Sequence, residues 1–155
     1  MRRTMAPMPF LSLFERLIET CDRLVTRRSQ DNPPQHLITG RRGERAAFFY
    51  LRREGFIVTA RGWRSSRARG DLDLVAWEKD TICFIEVKTR TTRAVAPAEV
   101  AVDEDKQKTL MRLARYYLRQ LPDEDVPVRF DILSIYFETG KGAEFELFRG
   151  AFGWN

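Results

Sequence analysis

Apolar positions in the first part of the chain recur at helical spacing. In "FLSLFERLIETCDRLV" they are Phe10, Leu13, Phe14, Leu17, Ile18, Cys21, Leu24 and Val25. One continuous stripe of this kind predicts an amphipathic helix. "RRSQDNPPQH" breaks the pattern. Pro33 and Pro34 cannot continue a helix, so this stretch reads as a linker. A second helix is predicted over "GRRGERAAFFYLRREGF", beginning near Gly40 and closed by Gly55 at the usual glycine cap. The period then shortens to two. Phe56–Ala60, Leu72–Trp77 and Ile82–Thr89 read as strands, with "RGWRSSRARG" as a basic loop and "EKD" as a turn. "TRAVAPAEVAV" is a long connection. Asp103 suits the N-cap of a further helix, with Glu104 and Asp105 in its first turn and Pro122 ending it after Leu121. "VRFDILSIYF" and "AEFELFR" are the last strands. The expected order is helix, three strands, helix, two strands. That makes an α/β domain over residues 39–155, preceded by an extension over residues 1–38.

Two charges sit on the wrong side of these helices. Glu44, Ala47, Phe48 and Leu51 fall at i, i+3, i+4 and i+7, which turns Glu44 inward. Lys106, Leu110, Leu113 and Tyr117 do the same for Lys106. Each alone is read as a first-turn residue at the rim, where a long side chain reaches water. The strand "CFIEVKTR" adds a third anomaly. Cys83, Ile85, Val87 and Thr89 share one face, while Glu86, Lys88 and Arg90 share the other. A turn centred on Lys79 and Asp80 sets Asp73 opposite Glu86 and Asp71 opposite Lys88. Two carboxylates and an ammonium then meet on one patch of sheet.

Such a patch is either a solvated ion pair or a site. Two close carboxylates resist joint ionisation unless something neutralises them. Mg²⁺ does so through oxygen ligands, commonly one or two carboxylates with water and substrate phosphate. A lysine beside it can bind a phosphate oxygen or orient a water.

Composition narrows the chemistry. The 155 residues suffice for one domain with a core, and no apolar run approaches the roughly 20 residues of a membrane span. Two distant cysteines, Cys21 and Cys83, make neither a zinc motif nor a disulfide framework, so a reducing, cytoplasmic setting is expected. His36 is the only histidine and stands in the linker, so a histidine base or a His-rich metal site is not expected. Glu15, Glu19 and Asp22 argue against a transit peptide, and the mixed charge of the predicted helix's polar face argues against membrane attachment. The net charge of +5 is concentrated. Nine arginines lie between Arg41 and Arg69 against two acids, Glu44 and Glu54, which suits a polyanion as well as it suits a solvated surface.

The segments "GRRGERAAFFYLRREGF", "RGDLDLVAWEKDTICFIEVKTR", "EDKQKTLMRLARYYL" and "VRFDILSI" resemble, in order, those of the UPF0102 (YraN-like) family. That family is similar to the PD-(D/E)XK, restriction-endonuclease-like superfamily, and within it to archaeal Holliday-junction resolvases. The resemblance covers roughly residues 38–137 and implies a central mixed sheet of about five strands flanked by helices. It implies that Asp73 and Glu86 are metal ligands, joined by the carbonyl of Val87 and by Glu44, and that Lys88 is the catalytic lysine. Lys106 matches a family lysine near the second helix start, and Asp131 matches the structural aspartate of "RFD". The family pattern has Glu where Asp71 stands and Asn where Gly62 stands.

The function implied is a Mg²⁺- or Mn²⁺-dependent endonuclease acting on DNA, branched or single-stranded. Asp73, Glu86 and Glu44 would hold the metal. Lys88 is expected to act on bound phosphate or water more than as the ion-pair partner of Glu86. Arg64, Arg67, Arg69, Arg90 and Lys106 are the expected nucleic-acid contacts. Trp63 is either a base-stacking or a packing residue. A homodimer would match the symmetry of a four-way junction. Two other readings stand beside this one: a nucleic-acid-binding or assembly module that does not turn over, and a surface ion-pair ladder.

Overall fold

The computed structural model describes residues 35–90, 102–123, 125–137 and 142–154. The N-terminal helix expected over Phe10–Val25 lies outside them. Among the described residues, no helix is long and apolar enough to cross a membrane.

Helix α1 spans Gln35–Arg53. It starts five residues before Gly40, so His36 is helical rather than in a linker. A proline costs a helix nothing when it precedes the first turn, whose N–H groups have no internal partner. The helix closes as expected. Gly55 takes φ +92°, Phe56 N–H donates to the Leu51 carbonyl at 2.9 Å, and Gly55 N–H donates to that of Arg52 at 3.2 Å.

Three antiparallel strands follow: β1 (Ile57–Ser65), β2 (Ala68–Glu78) and β3 (Thr81–Arg90). The expected basic loop is therefore the tip of a hairpin. Trp63, Ser65 and Ala68 turn inward while Arg64 and Arg69 face water. A strand with one solvated face needs apolar residues on one side only, so arginines mask its pattern. Helix α2 (Glu104–Leu118) then crosses to β4 (Val128–Tyr136), which lies parallel to β3. The Asp103 side chain accepts from Lys106 N–H at 2.8 Å, as its N-cap position predicts. The helix ends three residues before Leu121. Gln120 and Leu121 N–H instead bond three residues back, a tightening expected ahead of Pro122. Strand β5 (Glu144–Phe152) pairs antiparallel to β4 and outruns its predicted end at Arg149.

The sheet order equals the chain order, β1-β2-β3-β4-β5, and among the described strands β3–β4 is the only parallel pair. Helix α1 covers one face, packing Ala47 and Leu51 with Leu74, Ala76, Cys83, Ile85, Leu133 and Ile135. Helix α2 covers the other, packing Leu110, Leu113 and Ala114 with Leu72, Val75, Phe84, Phe130 and Ile132.

Gly43 brings α1 against the end of β3. A Cβ there would land on Thr89 Oγ1 and stand 3.1 Å from Thr89 Cβ. Alanine normally stabilises a helix interior relative to glycine by about 1 kcal/mol. Here Gly43→Ala is expected to lose about 1–3 kcal/mol in urea unfolding. Adding Thr89→Ala should recover most of it by emptying the contested space.

Candidate functional site

The β2–β3 ladder keeps the register that the Lys79–Asp80 turn demands and ends at the pair Leu74–Ile85. One step further the strands are no longer paired through their main chains. The Asp73 carboxylate fills the opening, with Oδ2 accepting from Val87 N–H at 2.8 Å. An aspartate side chain thus takes the place of a strand carbonyl.

Glu86 shares a face of β3 with Phe84, on the α2 side. It is 5% exposed and lies between two ammonium groups. Lys88 Nζ donates to Oε1 at 3.0 Å, and Lys106 Nζ stands 3.2 Å from Oε2. The second contact is an ion pair without hydrogen-bond geometry, so Oε2 retains an unused acceptor site. Burying one carboxylate is offset here by two cations that keep contact with water.

Asp73 is the perturbed member of the group. Its pKa is pushed up to about 7, chiefly by burial and then by the Glu86 charge. The Val87 N–H bond and the Lys106 charge oppose this, and Glu44 adds a smaller upward push. The unfolded chain releases this proton near pH 3.9, whereas the folded protein keeps it until about pH 7. The contribution is therefore complete below about pH 4 and lost as pH rises to about 7. Between pH 5 and 7, wild-type stability should fall relative to Asp73→Asn by up to about 1.4 kcal/mol per pH unit. Paired urea titrations of the two proteins measure that slope, which other carboxylates share and cancel.

The fold thus gathers Asp73, Glu86, Lys88 and Lys106. Glu44 is half-buried on α1, near enough to act on Asp73 electrostatically. Among the described residues, no three His, Cys, Asp or Glu side chains converge closely enough to enclose an ion. Asp73 and Glu86 are hard oxygen donors of the kind Mg²⁺ takes, and the shared charge that raises the Asp73 pKa is what a divalent cation would relieve. The two supply the donor chemistry such an ion takes, and Glu44 acts on Asp73 more weakly than Glu86 does.

Other expected residues lie apart from this group. Arg64 Nη2 donates to Asp71 Oδ2 at 3.1 Å, so the partner of Asp71 is Arg64 rather than Lys88. Arg67 and Arg69 are exposed at the hairpin tip. Trp63 packs edge-on against Tyr117 at 5.3 Å, a packing role. Arg90 ends β3, half-buried, with Nε lacking any partner.

Part of the basic cluster counted in the sequence forms a second set whose common side the sequence reading missed. Arg41, Arg45, Phe48 and Arg52 fall at i, i+4, i+7 and i+11 along one side of α1, beside Glu44. The Arg52 and Arg61 guanidinium groups lie over the Phe48 ring at 5.6 and 5.0 Å. The helical spacing carried this signal, but only the inward stripe was read from it; that Arg61 joins from β1 is a tertiary fact.

A family model described as "Uncharacterised protein family UPF0102" matches residues 43–135, which include Glu44, Asp73, Glu86, Lys88 and Lys106. A UPF0102 protein of Koribacter versatilis (strain Ellin345) is 46% identical over 123 residues, 79% of this chain and 85% of its own. One from Solibacter usitatus (strain Ellin6076) is 39% identical over 136 residues, 88% of this chain and 97% of its own. One from Bacteroides thetaiotaomicron is 40% identical over 106 residues, 68% of this chain and 85% of its own.

Proposed function

The chain belongs to the UPF0102 family, and from that premise we propose that it is a divalent-metal-dependent endonuclease that hydrolyses phosphodiester bonds of DNA. The observation that carries the reading is the Asp73 carboxylate set into the open end of the β2–β3 ladder, beside Glu86 and within reach of two lysines. A carboxylate pair flanked by ammonium groups at a strand end is also what the restriction-endonuclease-like reading of the core calls for.

Asp73 and Glu86 would hold Mg²⁺ or Mn²⁺, with the Val87 carbonyl and Glu44 as further oxygens. The ion would neutralise phosphate charge and acidify a water. The chain's own residues do the rest. Lys88 has three donors and uses one on Glu86, so it can also hold a phosphate oxygen as negative charge grows there. Lys106 keeps Glu86 oriented from the far side. Arg64, Arg67 and Arg69 at the hairpin tip, with Arg41, Arg45, Arg52 and Arg61 along α1, offer contacts to backbone phosphates without reading sequence. For a four-way DNA substrate, a homodimer would place two such sites by symmetry.

One observation favours a second reading, a nucleic-acid-binding module without turnover. Both Glu86 oxygens face lysines, and among the described residues three acids do not converge. A cleavage assay on linear, flapped and four-way DNA, with Mg²⁺ or Mn²⁺, decides between them. Metal-dependent products that vanish in Lys88→Ala support the nuclease. Salt-sensitive binding with no product from any substrate supports the module.

A further inference from the structure

Three buried side-chain polar atoms among the described residues lack a hydrogen-bond partner: Glu86 Oε2, Arg90 Nε and Ser134 Oγ. They do not scatter. Glu86, Lys88 and Arg90 alternate onto one face of β3, and the parallel register sets Lys88 beside Ser134 and Arg90 beside Tyr136. Phe84, Phe130 and Ile132 mark that face as the α2 side. All three atoms therefore lie along one strip of the β3–β4 junction, running from Glu86 past Lys88 to the end of β3.

An unpartnered buried hydroxyl or guanidinium nitrogen lowers stability, and native structures seldom keep one without a use. Ser134 is wholly buried. On the side away from β3 its ladder neighbour is Glu146, whose carboxylate accepts from the Tyr136 hydroxyl at 3.2 Å. That bond turns Glu146 toward Tyr136. Glu86 Oε2 can only accept and has the Lys106 ammonium 3.2 Å away; what remains open along the rest of the strip is a set of donors: the spare Lys88 N–H groups, Arg90 Nε–H and the Ser134 hydroxyl. Donors with two positive charges among them suit an oxyanion, and a tetrahedral phosphate presents acceptors to several donors at once.

We propose that Arg90 and Ser134 form a phosphate subsite next to Lys88, which seats a phosphate of the polynucleotide neighbouring the one to be cleaved. Lys88 stands between the two phosphates and belongs to both. The subsite rests on the nuclease reading for its purpose, but it binds phosphate whether or not DNA is cut.

The test uses inorganic phosphate as the probe, with isothermal titration of the full chain in metal-free buffer. Arg90→Gln and Ser134→Ala should each weaken phosphate binding roughly tenfold, the loss expected for one hydrogen bond to a charged group. Arg119→Gln, which removes an exposed arginine outside the strip, should leave it unchanged. Ser134→Ala should also melt at or above the wild-type temperature, because it removes an unpartnered polar group. That pairing of equal or higher stability with weaker binding would not arise from a hydroxyl that merely packs. The proposal is overturned if wild type fails to bind phosphate, if both variants bind it as wild type does, if Arg119→Gln weakens it equally, or if Ser134→Ala is less stable than wild type. Cleavage of DNA with unchanged phosphate affinity in both variants would keep the nuclease and remove the subsite. The predicted phosphate pattern without cleavage would keep the subsite and remove the nuclease.

Discussion

Lys88→Ala is expected to cut DNA roughly 10²–10³-fold more slowly than wild type, with the fold intact. The ammonium is placed by strand geometry. It shares a face with Glu86 and bonds it at 3.0 Å, so its position depends on β3 rather than on a mobile loop. On the proposed nuclease reading, alanine removes the ammonium beside Glu86 that would meet charge as it grows on the phosphate to be cleaved. It removes little stability, because Lys88 is 27% exposed and Glu86 keeps Lys106 at 3.2 Å. Single-turnover kinetics with saturating metal, beside circular dichroism, separates the two effects. If the ion pairs serve only the surface, the variant will be slightly less stable and no DNA product will depend on it.

If Asp73 holds the proposed cation, a proton there competes with it for the same carboxylate. Its pKa of about 7 means that Mg²⁺ affinity should fall as pH drops below 7, by up to about tenfold per unit. Calorimetric titration at pH 6 and pH 7.5 reads this directly, and Asp73→Asn should bind Mg²⁺ at neither pH.

The largest stability loss is expected at Asp131 rather than at the site. Its carboxylate is fully buried, takes Arg129 Nε at 2.7 Å and Nη2 at 2.9 Å, and accepts from Gly150 N–H at 2.9 Å. The last bond bridges the irregularity in β4–β5 pairing between Phe130 and Ile132, where Gly150 takes φ +64°. Arg129 continues to Glu78 at 2.6 Å, and Arg149 meets Glu78 at 3.0 Å. Asp131→Ala leaves the Gly150 N–H without its acceptor and Arg129 with Glu78 as its remaining partner, at a cost of about 3 kcal/mol. Thermal melting should drop by about 10 °C or more. Asp131→Asn keeps an acceptor for Gly150 and should lose less. Equal melting of wild type and Asp131→Ala would mean that the network carries no net stability.

Much of this was legible in the chain itself. Period-2 and period-3.6 patterning placed all seven described elements in order, because one buried face per element leaves a repeat in the sequence. Gly55 and Asp103 marked helix ends, since caps are local chemistry. Glu44 and Lys106 were legible as charges on apolar stripes, and the Lys79–Asp80 turn set the register that holds up to Leu74–Ile85, with Asp73 and Glu86 just beyond it. What the sequence hid were features that depend on a partner far along the chain. The arginines of the β1–β2 tip masked two strand ends, because an edge strand shows its pattern on one face only. Whether Lys88 would pair with Glu86, and whether Lys106 would reach the same carboxylate from α2, depended on how α2 lies across the sheet. The main-chain bond from Val87 to Asp73, the Arg52–Phe48–Arg61 stack and the unpartnered Ser134 hydroxyl exist only once strands and helices have packed. Periodicity determines which way a side chain faces, because that is a property of the local backbone. Which partner it meets there is decided by packing between elements, since contacts distant in sequence leave no local repeat to read.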